Sequence, residues 1–206
     1  MRDTYRLGAG VVALCAAVLL PSTPALAADN GGGTTAVAFA PTVCEPNFKA
    51  YKVTSVKTPW TVTHASIHEN YSGSTEKRTA KASKQTVLKA SLSVTSGVEA
   101  KAGVIFAKVD SKVEFTVAGE GQKTKSSSVT VTSTMKSGRR YVFFAGRRKV
   151  TGEWTMTQCN SRGTASSVKG RGKVATFDKV EGTGSVWCGA KPKAGTLAAK
   201  AKKLYC

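Results

Sequence analysis

Leu88-Lys-Ala-Ser-Leu-Ser-Val-Thr-Ser-Gly-Val-Glu-Ala-Lys-Ala-Gly-Val-Ile-Phe106 decides the fold class. Leu88, Ala90, Leu92, Val94, Val98, Ala100, Ala102, Val104 and Phe106 stand on even positions, and Lys89, Ser91, Ser93, Thr95, Glu99 and Lys101 on odd ones. Side chains of a strand alternate between faces, so this is the pattern of a half-buried strand, and it outlasts the ~5–6 residues of an ordinary one. Beyond Phe106 the parity reverses: Ala107, Val109, Val113, Phe115 and Val117 are odd, while Lys108, Asp110, Lys112, Glu114 and Thr116 are even. A one-residue slip exchanges the two faces, so the reversal marks a bulge or a turn. Polar Lys108-Val-Asp-Ser-Lys112 is read as the turn of a hairpin over 102–118.

Outward from this stretch the chain stays rich in Val, Thr, Ser and Tyr, from Tyr51 to about Glu181, a strand-forming composition. After the Gly- and Ser-rich break 119–128, strands are expected at Val129–Met135, Tyr141–Ala145 and Val150–Cys159, with turns at 136–139 and 146–148. One or two short strands should follow between Val174 and Val186. Leu197, Ala198, Ala201, Leu204 and Tyr205 share one helical face, so the chain should end in a short amphipathic helix. The expected fold is mainly β: an elongated, twisted antiparallel sheet or sandwich with long amphipathic strands and a short C-terminal helix.

Residues 1–27 read as a secretory signal peptide. Arg2 and Arg6 give a positive n-region, Leu7–Leu20 an apolar stretch too short to span a bilayer, and Ala25-Leu26-Ala27 a small-x-small cleavage pattern. Cleavage between Ala27 and Ala28 would release a secreted, extracellular chain. Its parts would be a leader at 28–43, a β domain at 44–187 carrying the candidate hairpin 102–118, and a disulfide-pinned tail and helix at 188–206. Cleavage also removes Cys15 and leaves Cys44, Cys159, Cys188 and Cys206. An even set in an exported chain reads as two disulfides, with three connectivities open. The short loop from Cys188 to Cys206 favours that bridge, with Cys44–Cys159 as its complement, over the two other pairings.

The chain carries 31 Lys and Arg against 12 Asp and Glu, a formal net charge of +19 over 206 residues. From Gln122 to Thr151 lie Lys123, Lys125, Lys136, Arg139, Arg140, Arg147, Arg148 and Lys149 with no acid among them. A positive surface of that density attracts polyanions at long range. The partner would be an anionic membrane or a cell-wall polymer. No aromatic-interleaved motif of specific nucleic-acid readout is present.

Catalytic patterns are weak. Gly182-Thr-Gly-Ser185 does not have nucleophile-elbow spacing, and Gly119-x-Gly121 continues into Gln122-Lys-Thr124 without a phosphate-loop motif. His64 and His68 on a strand would sit ~13 Å apart at ~3.3 Å per residue, too far for one metal, and are read as exposed strand histidines. The expectation is no enzyme, no cofactor, no metal and no small-molecule substrate.

Residues 85–157 resemble the aerolysin-like β-pore-forming toxins, in the branch of epsilon toxin and the mosquitocidal toxins. The matching pieces are Lys89-Ala-Ser-Leu-Ser-Val-Thr-Ser-Gly97, the stretch Ala102–Ala118, Ser126–Thr134 and Lys149-Val-Thr-Gly-Glu-Trp154. The resemblance implies a membrane-active protein that oligomerises on its target and inserts Val104, Ile105, Phe106, Val113, Phe115 and Val117. No large receptor-binding domain is evident beside that stretch. The rival reading is a non-catalytic secreted module that binds wall polyanions or a protein partner without inserting.

Overall fold

A computed structural model describes residues 44–95 and 98–206; the expected signal segment 1–27, its cleavage point at Ala27 and Ala28, and the leader 28–43 lie outside the described residues. The elements are β1 (Lys49–Lys57), β2 (Trp60–Asn70), β3 (Glu76–Lys84), β4 (Ser91–Val94), α1 (Ala102–Val113), β5 (Ser128–Met135), β6 (Arg139–Cys159), β7 (Ser166–Phe177), β8 (Gly182–Trp187) and α2 (Leu197–Tyr205). The strands form an antiparallel sheet ordered β4-β7-β6-β2-β3-β5, with β1 and β8 also pairing with β6. The protein is mainly β, as its Val-, Thr-, Ser- and Tyr-rich composition indicates.

β6 organises the rest. Its first half, Arg139–Arg148, lies between β2 and β8, and its second half, Lys149–Cys159, between β1 and β7. Residues 141–146 are buried without a break, because each face of that half is covered. Val142 and Phe144 join Val62, Ala65 and Val186 beneath Leu197 and Ala201 of α2, while Tyr141 and Phe143 join Ala80, Val131 and Met135 on the other face. In the second half, Val150, Trp154 and Met156 are buried and Glu153 between them is exposed, the alternation of a strand with one covered face. Residues 146–148, expected to be a turn, instead run straight through β6. Arg147 and Arg148 keep their ladder places opposite Thr61 and Trp60, and the polar triplet marks where β6 changes neighbours.

α2 starts at the N-cap Thr196, whose Oγ1 accepts the Ala199 N–H at 3.2 Å. It lies so close to β6 that a Cβ at Gly146 would meet Leu197 and the Thr61 carbonyl at 2.5 Å. The described cysteines form Cys44–Cys159 and Cys188–Cys206. The first closes a separation of 115 residues and ties the segment before β1 to the end of β6, while the second fastens α2. Bridges of this kind stabilise by roughly 2–4 kcal/mol each.

The stretch that decided the fold class departs most from its expected form. Of the alternating run 88–106 only Ser91–Val94 is a strand, and the hairpin expected over 102–118 is replaced by α1. Lys108–Lys112, expected as its turn, lies within the helix. The physical reason is a second pattern in the same residues: Ala102, Ile105, Phe106, Val109 and Val113 recur at three- and four-residue steps and form one helical stripe. Ile105, Phe106 and Val109 are buried against Val53, Val150, Trp154 and Met156.

Candidate functional site

β3 and β5 pair residue for residue from Glu76 opposite Met135 to Ser83 opposite Ser128. The described residues between them, 85–95 and 98–127, leave that pair, cross to the half of the sheet that contains β7 and β1, and return. They form an excursion inserted between two paired strands.

Its neck is closed by hydrogen bonds. Lys84 N–H donates to the Ser127 carbonyl at 3.2 Å, and the Gln85 and Thr86 N–H groups donate to the Thr63 carbonyl at 2.8 and 3.2 Å. His64 Nε2 lies 3.2 Å from the Ser126 carbonyl, which can only accept, so Nε2 carries the proton. His64 Nδ1 lies 3.0 Å from Thr63 Oγ1 and 3.6 Å from Glu181, which Arg147 approaches at 3.6 Å. His64 is therefore a buried member of a polar cluster at the neck, at 1% exposure, and not the exposed strand histidine its sequence suggested. Beyond the neck the two arms bond again: Ala90 N–H to the Gln122 carbonyl at 2.7 Å, and Thr124 N–H to the Leu88 carbonyl at 3.0 Å. Lys89 and Lys123 form an isolated antiparallel bridge there.

Farther out, β4 docks on β7 from Ser91 opposite Ala175 to Val94 opposite Gly172, where an added Cβ would collide with the Ser93 carbonyl. α1 then covers the apolar face. It has few local supports: its N-cap Lys101 makes no side-chain cap bond, no acid stands in its first turn, and it includes Gly103. Val104, Ile105, Phe106, Val109 and Val113 are β-branched or aromatic residues that favour strands over helices. The helix is held by what it buries.

Five of the six proposed insertion residues meet in space, and Val104 stands apart. Ile105, Phe106 and Val117 are buried in one cluster, Val113 and Phe115 pack against it, and Val104 is 38% exposed on the outer face of α1. The basic set divides. Lys123, Lys125, Lys136 and Lys149 are exposed. The arginines have partners within the fold: Arg139 stacks on Trp187 at 4.1 Å, Arg140 faces Glu69 at 3.8 Å, and Arg147 meets Glu181 and donates to the Asp178 carbonyl. Arg148 lies over Trp60 at 5.2 Å and Phe115 at 5.3 Å. These contacts argue against a uniform free stripe of arginines, and they bring in Trp60, Glu181 and Trp187, which the run of positive residues alone could not reveal.

Among the described residues no group of three or more His, Cys, Asp or Glu could hold a metal ion, and no helix is long and apolar enough to cross a membrane, which says nothing of strands. No known family profile matches the chain, and no curated protein matches it. Among solved structures it is similar to parasporin-2, a Bacillus thuringiensis toxin that recognizes cancer cells, at 9% identity over 73% of this chain and 74% of that one, with a TM-score of 0.32. A score that low does not establish a shared fold.

Proposed function

We propose that the chain is a secreted, cationic, non-catalytic β protein that adsorbs to anionic membranes and converts the excursion 85–127 into a membrane-inserted hairpin within an oligomer. One observation carries the reading: the β3–β5 register, continued at the same step, generates an amphipathic hairpin from residues that the folded chain uses differently. Beyond Ser83 opposite Ser128 it sets Val94 against Val117, Val98 against Val113, Ala102 against Val109 and Val104 against Ala107. The parity reversal at Phe106 then falls at the tip. Lys108, Asp110, Lys112 and Glu114 all fall on the opposite row with Lys89, Ser91, Ser93 and Lys101. The apolar row is long enough for the ~9–11 residues of a membrane strand, and the charges belong to the face that lines a lumen.

The arm-to-arm bonds at Leu88–Thr124 and Ala90–Gln122 pair the two arms near the neck, but like the Lys89–Lys123 bridge they flank they stand one residue out of step with that register, so conversion includes a one-residue shift there. Inserted strands must close into a barrel, because hydrocarbon offers no partner to an open edge. Insertion is therefore proposed as an oligomeric event after electrostatic docking.

The test is dye release from anionic vesicles by the oxidised mature protein and by a Val56→Cys/Val113→Cys variant. Those two residues line one cavity, on β1 and at the end of α1. Oxidation should hold α1 in place, abolish release and spare binding, and reduction should restore release. Binding without release by the wild type on every anionic composition tried would defeat insertion in favour of the binding-module reading.

A further inference from the structure

Arg148 differs from Arg140 and Arg147, which meet carboxylates, and from Arg139, which rests on the single ring of Trp187. Among the described residues its guanidinium has no carboxylate or carbonyl partner and rests only on the rings of Trp60 and Phe115. It borders a cavity of about 440 Å³ whose other walls are Ser55, Val56, Thr58, Lys112, Val113 and Phe115. Two basic and two hydroxyl-bearing residues thus line one space with apolar and aromatic ones, and no carboxylate residue is among its walls. Volumes of ~300–1,000 Å³ are those of small-ligand sites.

The backbone on both sides is constrained. Ser55 has φ +53° where the β1–β6 register shifts between Thr54 and Lys57, and Glu114, the C-cap of α1, has φ +57°. Non-glycine residues in the left-handed region cost free energy and concentrate at ligand clamps. The partial negative charge at the C-terminal end of α1 opposes an anion here, but the full charges of Lys112 and Arg148 outweigh it.

We propose that this cavity binds a phosphate monoester whose organic substituent is apolar. The guanidinium plane, already ordered by the two rings, presents paired N–H donors that fit phosphate oxygens, Lys112 adds a point charge, and the Ser55 and Thr58 hydroxyls complete the donor set. Val56, Val113 and Phe115 take the substituent. The site does not depend on insertion and would exist in a protein that only binds. A lipid headgroup and a soluble ester share this chemistry.

The experiment is an NMR titration of the oxidised mature protein with phenyl phosphate, following the Arg148 Nε–H and the amides of Ser55, Val56, Val113 and Phe115. Inorganic phosphate runs in parallel, as does competition by phosphatidylcholine vesicles with and without phosphatidic acid. We expect saturable shifts confined to these groups, with binding weakened about tenfold by Arg148→Gln and about threefold by Lys112→Gln, the losses expected for one charge-assisted pair and one point charge. Lys81→Gln, an exposed position on β3 that does not line the cavity, removes the same charge and should leave binding unchanged. Competition by vesicles only when they contain phosphatidic acid would assign the site to a lipid headgroup, and failure of both vesicles to compete would assign it to a soluble ester. Lys112 is exposed, so its variant keeps the test decisive even if Arg148→Gln unfolds. Non-saturating shifts, equal losses in Lys81→Gln, or inorganic phosphate binding as tightly as phenyl phosphate would overturn the proposal.

Discussion

The first half of β6 and helix α1 are both built from β-branched and aromatic residues, yet they are held in different ways. Tyr141–Ala145 lies in the extended conformation such residues favour, paired with β2 and β8 and buried on both faces. α1 bends Val104, Ile105, Phe106, Val109 and Val113 into a helix with no side-chain N-cap, and only one of its faces is covered. In the first region, propensity, pairing and burial agree. In the second, burial alone opposes propensity, and such disagreement between levels is where a chain can hold a second conformation. The proposed conversion draws on this difference: the sheet stays and the excursion leaves.

The largest effect should separate the two. Phe143→Ala empties a site at 0% exposure in the sheet and should cost about 3–5 kcal/mol of global stability in urea. Phe106→Ala removes the same side chain from α1, at 6% exposure, and should mainly open the excursion. Hydrogen exchange should then show 102–113 losing protection while β2 and β6 keep theirs. If Phe106→Ala loosens β6 as much as Phe143→Ala does, the two regions form one cooperative unit and the comparison fails.

A smaller effect runs the other way. Lys101→Asp supplies the missing N-cap and a negative charge at the positive end of the helix dipole, and should stabilise α1 by ~0.5–2 kcal/mol. Slower hydrogen exchange across 102–113 would register the gain. Under the proposed conversion the same variant should slow dye release while leaving vesicle binding intact. Faster release would mean that α1 is not what must be undone.

Much of this contrast is visible in the residues. The strand composition and the apolar stripe of the C-terminal helix follow from rules that act over a few residues, and the short Cys188–Cys206 loop favoured one of three pairings, leaving Cys44–Cys159 as its complement. α1 was hidden because Ala102 and Phe106 satisfy both an alternating row and a helical stripe, and only the apolar face waiting at Val53 and Trp154 decides between them. Arg147 and Arg148 looked like a turn because a glycine followed by two charged residues marks a change of neighbours along a strand in the same way as a reversal of the chain. The burial of His64 depends on Ser126 and Glu181, both distant in sequence, so spacing alone made it an ordinary strand residue. The register that joins β3 to β5 and carries the proposed hairpin could not be read before their pairing was known.

The smallest expected effect concerns pH and should fall on the sheet alone. His68 on β2 meets the Phe143 ring edge-on at 5.2 Å, and its Nε2 is 3.1 Å from Ser66 Oγ. Burial, aided by the charge of Arg78, lowers its pKa below the usual 6.5. Between that lowered value and 6.5 the unfolded chain binds the proton more readily than the folded one. Stability is therefore full above pH 6.5 and declines as the pH falls through that window, levelling off once both states are protonated. His68→Gln, which cannot take up the proton, should flatten this part of the urea midpoint against pH. Because His68 touches Phe143 and not α1, acid should weaken protection in β2 and β6 before it affects 102–113. A midpoint with the same pH dependence in His68→Gln would place the acid-sensitive group elsewhere, and an acid response confined to 102–113 would place it in the excursion.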